Sequence, residues 1–465
     1  TIRERETLKK KLYDAHLYGI DSNERIARIA RLNMYLHGDG GSKIFNTNAL
    51  DAELKPDKSL PPEKREELNE LRNDIIRDAL VFDLVLTNPP FSITYNRSKP
   101  EQARILDQCR IAQTKGGKPS ASEHSNVLFL DRYERLLRPG GELLTVIDNT
   151  VLNGFESQRH RDYILDNFVI RQVVSLPFNT FFPAQSNIQT SILHLKKKEE
   201  GERQGPVFMA ILNNVGHDDH QRHTPNRDNT PELSRVYGIW RDTGKITRVF
   251  QPNEDRNENL SCPFQTFVVS SAELNPARLD AFYYSPELWR LRENLKARAK
   301  AGLIQFVSGK DLQIIPVMDK TTIEEAQSHR FRYFEIGDVT RDGMIVSPQE
   351  DFFDNLPSRA RLMVQTHDVI FAKNNSSRGT TVIIPPEFDR QLVTTGFIGI
   401  RPKSFEDALL LWSVFESEAI RKQIYYLAVT ASQPEVREDI VRNEFLIPTP
   451  RQSKDRERLI RCARK

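Results

Sequence analysis

A short apolar stretch that stops at two consecutive prolines constrains the fold of this chain more than any other feature. Residues 82–86 are rich in Val and Leu with a single acid, which predicts a strand covered on both faces in a parallel sheet. Pro89 and Pro90 then remove two backbone donors and fix two φ angles, so neither a strand nor a helix continues. We therefore expect a loop held at the tip of a buried strand.

The residues of this loop combine hydrogen-bond acceptors with an aromatic ring. Asn88 contributes a side-chain carbonyl, Pro89 a main-chain carbonyl and Phe91 a flat apolar face. Two acceptors beside a stacking surface can hold a planar group that carries an exocyclic amine. An ordinary proline-rich turn is the alternative, and the complete tetrapeptide after a buried strand favours the binding role.

The sequence Asn88-Pro89-Pro90-Phe91 resembles the catalytic motif of the amino-group methyltransferases that use S-adenosylmethionine. Its wider setting resembles the modification subunit of type I restriction-modification systems. The resemblance implies that Asn88 and Pro89 accept the N6 hydrogens of an adenine next to the cofactor, while Phe91 stacks on the extruded base. Enzymes that methylate RNA bases or protein glutamine share the motif, so the substrate has to be inferred from the rest of the chain.

Two polar positions upstream are candidates for cofactor binding. Asp21 ends a short predicted strand, where an acid accepts hydrogen bonds from ribose hydroxyls in nucleotide-binding α/β folds. Asp21 could instead cap the following helix. The resemblance further implies that Asn48, after the third strand, contacts the adenine of the cofactor, with Asp51 as a rival for this role.

Strands and helices alternate from residue 17 to residue 195, and this order predicts a doubly wound α/β sheet. In such folds a central strand with a glycine-rich cofactor loop lies between the strands that end at Asp21 and Asn88. Neither appears in the sequence. Because a sheet without this strand leaves buried backbone groups unpaired, we expect the chain to be a fragment of a longer polypeptide. A strand from another segment or a degenerate domain are the alternatives.

The second half of the chain resembles the α+β target recognition domain of type I specificity subunits, with short strands around residues 334–339, 367–373 and 394–401. The predicted domains are 1–200 (methyltransferase), 201–300 (extension and connector), 301–452 (target recognition) and 453–465 (start of a helical tail). One segment within the recognition domain mixes phosphate-seeking charge with side chains that hydrogen-bond base edges. The predicted DNA contacts are Lys373, Asn374, Asn375 and Arg378, and a flexible surface loop is the alternative.

Composition limits the classes of protein and site. The net charge is only +3, so a nucleic-acid surface must be local. Three widely spaced cysteines favour reduced thiols in a cytoplasmic protein over a zinc site, and no apolar run is long enough for a membrane helix. His217, His220 and His223 could be read as a metal cluster, but a solvated loop explains this polar segment better, and we expect no metal.

Together these features predict a site-specific DNA methyltransferase that acts on adenine N6 in a restriction-modification or related defence system. S-adenosylmethionine would be the cofactor and double-stranded DNA the substrate. A non-catalytic DNA-recognition scaffold and an RNA adenine methyltransferase are the alternatives. Since one recognition domain reads one half-site, we also expect a second copy, or a separate specificity or restriction subunit, as a partner.

Overall fold

The computed structural model describes most of the chain, which divides into two compact units. It describes residues 16–464 except 39–42, 55–59, 78, 92, 114–116, 179, 182–187, 219–221, 247–248, 252–263, 341–342, 375–379 and 430–433. The first unit comprises Thr1–Val151, Gln158–Gln172 and Ile192–Gly205, and the second comprises Leu152–Ser157, Val173–Ser191 and Pro206–Lys465. The domain boundaries expected from the sequence stay a prediction.

From Gly19 to Lys197 the chain alternates strands and helices. The elements are β1 (Gly19–Asp21), α1 (Glu24–Leu36), β2 (Ile44–Asn46), α2 (Pro62–Arg72), β3 (Phe82–Thr87), β4 (Thr94–Asn96), α3 (Pro100–Gln108), β5 (Ser122–His124), α4 (Ser125–Leu136), β6 (Leu137–Asp148), α5 (Asn149–Asn153), α6 (Gln158–Asn167), β7 (Phe168–Ser175) and β8 (Thr190–Lys197). β1 pairs in parallel with β2, and β3 pairs in parallel with β6 in the order β3-β6-β8-β7. Helices between parallel strands confirm the predicted doubly wound α/β class.

The strand β6 includes a segment rich in proline and glycine. Arg138-Pro139-Gly140-Gly141 has residues that commonly follow the end of a helix, but these residues lie inside β6, where the pairing with β3 shifts register between Phe82 and Leu84. Gly140 has a φ of +77°, a conformation that glycine adopts without a steric penalty. The glycine therefore permits an irregularity within the strand, and the register is regular again from Leu84 to Thr87.

The second unit is built from small sheets and helices. From Val207 onward the elements are β9 (Val207–Ile211), α7 (Thr230–Thr243), β10 (Phe250–Gln251), β11 (Phe264–Val269), α8 (Pro286–Lys300), β12 (Ile304–Val307), α9 (Lys320–Ala326), β13 (Arg330–Phe334), β14 (Gln349–Phe352), β15 (Ala360–Val364), β16 (Val369–Ala372), β17 (Thr381–Ile383), β18 (Gln391–Thr394), β19 (Phe397–Ile400), α10 (Phe405–Phe415), α11 (Glu418–Leu427), α12 (Glu438–Asn443), β20 (Ile447–Pro450) and α13 (Ser453–Ala463). The strands form the groups β10-β11-β9, β14-β13-β18-β15, β17-β16-β19 and β12-β20. Phe334, Val364 and Ile370 belong to one buried core cluster. This mixture of mainly antiparallel strands and helices is the α+β architecture expected for this half of the chain.

Within the part of the chain that the structure describes, no helix combines the length and the apolar character needed to cross a membrane.

Candidate active site

The Asn-Pro-Pro-Phe motif begins directly after the last residue of β3. Thr87 is paired with Thr145 of β6, so Asn88 emerges at the carboxyl end of two parallel strands. Asn88 and Pro90 are exposed, Pro89 is buried and Phe91 is half-buried. Open α/β sheets bind ligands at this end of their strands. The motif therefore lies where such a fold places its chemistry.

The two acceptors that the resemblance assigns to the amine are unoccupied by the described residues. None of these residues donates a hydrogen bond to the Asn88 side chain or to the Pro89 carbonyl. The next carbonyl differs, because Pro90 O accepts a hydrogen bond of 2.6 Å from Ser125 Oγ. The pair formed by Asn88 and Pro89 is thus available to an external donor, whereas Pro90 is committed to the protein.

A cavity of about 460 Å³ opens beside the motif and brings most of the predicted site residues together. It is lined by residues of β1 and β3 and by the motif, and its walls include Asp21, Asn48, Asn88, Pro89 and Pro90. The volume lies within the range of small-molecule and cofactor sites, about 300–1,000 Å³. Phe91 is not among the lining residues. Aromatic faces are nevertheless present in the walls, contributed by Tyr18, Phe129 and Tyr133.

Asp21 does not cap the helix that follows it. One carboxylate oxygen, Oδ1, accepts a hydrogen bond of 2.7 Å from the backbone N–H of Asn23. Asn23 is the cap of α1, since its side chain accepts from the backbone N–H groups of Arg25 and Ile26. The capping alternative for Asp21 is therefore wrong, and its half-buried carboxylate is part of the cavity wall.

The structure separates Asn48 from its rival Asp51. Asn48 lines the cavity, donates from Nδ2 to Tyr95 Oη at 3.1 Å and accepts from the backbone N–H of Leu50 at 3.0 Å. Asp51 is buried, pairs with Arg104 at 2.8 Å and is not among the lining residues. Asn48 is accordingly the better-placed residue for a ligand in this cavity.

In the described part of the chain, no strand lies between the strands β1 and β3 that line the cavity. Among the described residues, β1 pairs with β2 alone, and β3 lies at the end of its sheet with β6 as its neighbour. Leu84 and Leu86 of β3 are 48% and 68% exposed. The described residues therefore contain no strand at the position that folds of this kind give to their central strand.

The chemistry of the cavity fits the nucleoside portion of S-adenosylmethionine. Asp21 offers a carboxylate oxygen that can accept from ribose hydroxyls, and Asn48 offers an amide beside it. The described residues contain no glycine-rich loop for the remainder of the cofactor. The residue types around Asp21 and Asn48 are thus compatible with the nucleoside part of the cofactor, and their role as cofactor contacts stays a prediction.

Sequence reasoning missed the contacts that hold the motif in place. The hydroxyl of Tyr133 in α4 and the hydroxyl of Thr87, which precedes Asn88, share a hydrogen bond of 2.7 Å. Burial raises the pKa of Tyr133, so this hydroxyl is protonated. Ser125, at the other end of α4, binds Pro90 as described above. No local sequence signal identifies these residues, because their partners lie 46 and 35 positions away.

The structure describes only part of the predicted DNA-binding segment. Lys373 is half-buried and pairs with Glu435 at 3.1 Å, and Asn374 forms an isolated β-bridge with Glu435. Asn375 and Arg378 lie outside the described residues. A cavity of about 480 Å³ lies beside the segment, and its walls include Lys373, Glu435, Arg437 and Arg442. The roles of all four predicted residues remain proposals.

The histidine-rich segment gives no support for a metal site. His217 and His223 face each other across an isolated β-bridge, and His220 lies outside the described residues. The described residues contain no group of three or more His, Cys, Asp or Glu side chains placed to hold a metal ion.

Comparison with known protein families gives a match over more than half of the chain. The model of the family described as N-6 DNA Methylase matches residues 2–273, which include all of the residues that line the cavity beside the Asn-Pro-Pro-Phe motif.

Several solved structures are similar to this chain. A modification subunit of a putative type I restriction enzyme from Vibrio vulnificus YJ016 is 19% identical, with 60% of this chain and 49% of that chain covered and a TM-score of 0.37. The methyltransferase subunit of a type I restriction-modification system from Streptococcus thermophilus is 21% identical, with coverage of 57% and 47% and a TM-score of 0.38. The HsdS subunit from Thermoanaerobacter tengcongensis is 26% identical, with coverage of 34% and 40% and a TM-score of 0.28. The chain spans less than half the length of each of these proteins.

Proposed function

We propose that this chain, which belongs to the N-6 DNA methylase family, transfers a methyl group from S-adenosylmethionine to adenine N6 at specific sites in double-stranded DNA. One observation carries the proposal. The Asn88 side chain and the Pro89 carbonyl are two acceptors unoccupied by the described residues, at the mouth of a cavity that also contains Asp21 and Asn48.

The two acceptors orient the amine of the target base. Asn88 Oδ1 and Pro89 O each accept one N6 hydrogen, which leaves the nitrogen lone pair directed toward the methyl donor. Phe91 stacks on the base after it leaves the duplex, because a stacked adenine cannot bring N6 to the donor. Unstacking costs a few kcal/mol. The bound cofactor supplies an electrophilic methyl group on a positively charged sulfur.

The transfer balances without a further reactant. A bond would form between N6 and the methyl carbon while the bond from that carbon to sulfur breaks and its electron pair stays on sulfur, and the nitrogen would lose one proton to solvent water. The products are N6-methyladenine and S-adenosylhomocysteine. Asp21 and Asn48 hold the nucleoside part of the cofactor, so that the chain's own contribution is orientation of both reactants.

Recognition of the target belongs to the second half of the chain in this proposal. Lys373, Asn374, Asn375 and Arg378 contact DNA, and a second copy or a separate specificity or restriction subunit completes a bipartite site. The cellular setting is a prokaryotic restriction-modification or related defence system in the cytoplasm. In this proposal the catalytic domain and the recognition domain are parts of one polypeptide, and not separate subunits.

The activity can be tested by incubating the full-length protein with tritiated S-adenosylmethionine and duplex DNA. We expect tritium in DNA, and after digestion to nucleosides we expect it to elute with N6-methyladenine. Label in a cytosine derivative would contradict the assignment of the base. In a parallel incubation with RNA, label in RNA together with none in DNA would favour the RNA methyltransferase alternative.

The proposed recognition segment can be tested with Arg378→Ala. Loss of a bidentate base contact costs about 1–3 kcal/mol of discrimination against the wrong base. We therefore expect about a tenfold or greater loss of affinity for the target sequence that the protein methylates, and little change for random duplex. Competition binding at one stated salt concentration measures both. Arg241→Ala, which removes an exposed arginine paired with Asp242, is the control. An equal loss for both duplexes would indicate a phosphate contact and contradict base readout.

A non-catalytic scaffold is a second candidate, and a specific observation favours it. The described residues contain no glycine-rich loop beside the cavity, and the strands β1 and β3 have no strand between them. A scaffold would bind specific DNA without binding S-adenosylmethionine. Isothermal titration of the full-length protein with the cofactor separates the two functions, because only the enzyme requires this affinity.

A further inference from the structure

The helix α4 contacts the catalytic loop at its amino-terminal end through one buried serine. Ser125 is 1% exposed, and its hydroxyl donates to Pro90 O at 2.6 Å. Its backbone N–H donates to Ile93 O at 2.8 Å. Prolines have no N–H groups, so Pro89 and Pro90 cannot be fixed by donating hydrogen bonds themselves. Ser125 therefore holds the loop at Pro90, before Phe91, and at Ile93, after it.

The same helix contacts the other side of the motif through a buried tyrosine. Tyr133 is 4% exposed, and its hydroxyl lies 2.7 Å from Thr87 Oγ1. Its ring stacks on that of Phe129, with centroids 5.4 Å apart, and this packing restricts the position of the hydroxyl. Thr87 precedes Asn88, and Pro90 follows Pro89. The two hydrogen bonds thus bracket the pair of residues that provides the acceptors.

The amino-terminal end of α4 is itself anchored. Glu123 of the preceding strand β5 is 5% exposed and forms an ion pair with Arg159 of α6. Burial acts to raise the pKa of Glu123, but the hydrogen bond and charge of His160 and the charge of Arg159 outweigh it and lower this pKa. Arg159 also donates to Ser120 Oγ at 2.9 Å. The helix consequently starts from a fixed point in the first unit.

We propose that Ser125 and Tyr133 are positioning residues. They hold the Asn88 and Pro89 acceptors where these acceptors can bind the N6 amine of the target adenine during methyl transfer. The inference rests on the proposed function and adds two residues that lie in the cavity wall and act on the motif through their hydrogen bonds to Pro90 and Thr87. A displacement of about 1 Å at a reacting group can lower a rate about a hundredfold. The two hydrogen bonds are therefore expected to influence turnover more than binding.

The test compares Ser125→Ala and Tyr133→Phe with a matched control in the full-length protein. Tyr163→Phe is the control, because it removes a hydroxyl that donates to Asp131 of the same helix at 3.0 Å, away from the motif. We expect kcat to fall about tenfold in each of the two variants and further in the double variant, with KM for DNA and for cofactor within about twofold of wild type. Tyr163→Phe should keep the wild-type kcat.

A spectroscopic measurement separates positioning from a general loss of structure. With 2-aminopurine at the methylated position, extrusion raises its fluorescence in every variant. We expect the fluorescence anisotropy of this base at saturating protein to be lower in Ser125→Ala and Tyr133→Phe than in Tyr163→Phe, because the acceptors hold it less rigidly. Unfolding midpoints in urea verify that all variants are folded.

Each outcome has one meaning. If wild type methylates DNA and both variants match Tyr163→Phe in kcat, the positioning role is wrong and the proposed function survives. If KM rises while kcat is unchanged, the residues act in binding and the inference is also wrong. If wild type transfers no methyl group to DNA, the proposed function fails and the inference fails with it.

Discussion

Replacing Asn88 by alanine lowers kcat for methyl transfer about a thousandfold while the Kd for DNA stays nearly unchanged. Removal of one preorganised polar group that stabilises a transition state typically costs about a hundred- to a thousandfold in rate. Asn88 also sets the direction of the amine lone pair, so the upper end of this range is expected. The ground-state complex loses less, because recognition of DNA depends on other residues. Tritiated-methyl incorporation measures the rate and fluorescence anisotropy measures the Kd.

Asn33→Ala is the matched control for this variant. Asn33 is an exposed residue of α1 and does not line the cavity. We expect the control to keep wild-type activity and an unchanged circular dichroism spectrum. A wild-type rate in Asn88→Ala would overturn the assignment of the motif as the amine-binding loop.

Replacing Asp280 by alanine destabilises the second unit by about 3–5 kcal/mol, because it leaves a buried arginine without its counterion. Arg278 and Asp280 are 4% and 0% exposed. Arg278 binds Asp280 through Nε at 2.8 Å and Nη2 at 3.2 Å, and donates from Nη1 to the Leu427 carbonyl at 3.2 Å. Asp280 therefore fixes the guanidinium of Arg278, which in turn connects the residues before α8 to the end of α11. Urea unfolding followed by circular dichroism measures the loss.

Two further variants define what this result means. Asp242→Ala removes one member of an exposed pair with Arg241, and we expect no measurable change in the free energy of unfolding. The double replacement Arg278→Met with Asp280→Leu removes both charges and should be less destabilised than Asp280→Ala. Equal stability of Asp280→Ala and Asp242→Ala would show that the buried pair does not stabilise the unit.

The family and the α/β class of the first unit were accessible from local sequence patterns. Pro89 and Pro90 end β3 whatever the strand packs against, since each lacks a backbone N–H donor and has a fixed φ angle. The alternation of strands and helices likewise predicts the doubly wound class, because hydrophobic periodicity and turn-forming residues are features of the local sequence. Both predictions are confirmed by the structure and by the family match.

The contacts between residues distant in sequence could be identified only from the tertiary structure. Arg138 to Gly141 had the composition of a helix end, and pairing with β3 placed them in a strand instead. The sequence pointed to Asn48 with Asp51 as a rival for the cofactor contact, and packing paired Asp51 with Arg104 while it left Asn48 in the cavity wall.

The sequence by itself thus determined where the chain must stop being a strand and which residues carry acceptors. Only the tertiary structure decided which acceptors have no donor among the described residues and what holds them. The physical reason is the separation of the hydrogen-bonded partners along the sequence. Ser125 and Pro90 are 35 positions apart, and Tyr133 and Thr87 are 46 positions apart. Such a bond exists only after α4 packs against the end of β3, and that packing depends on the whole hydrophobic interior and not on either residue alone.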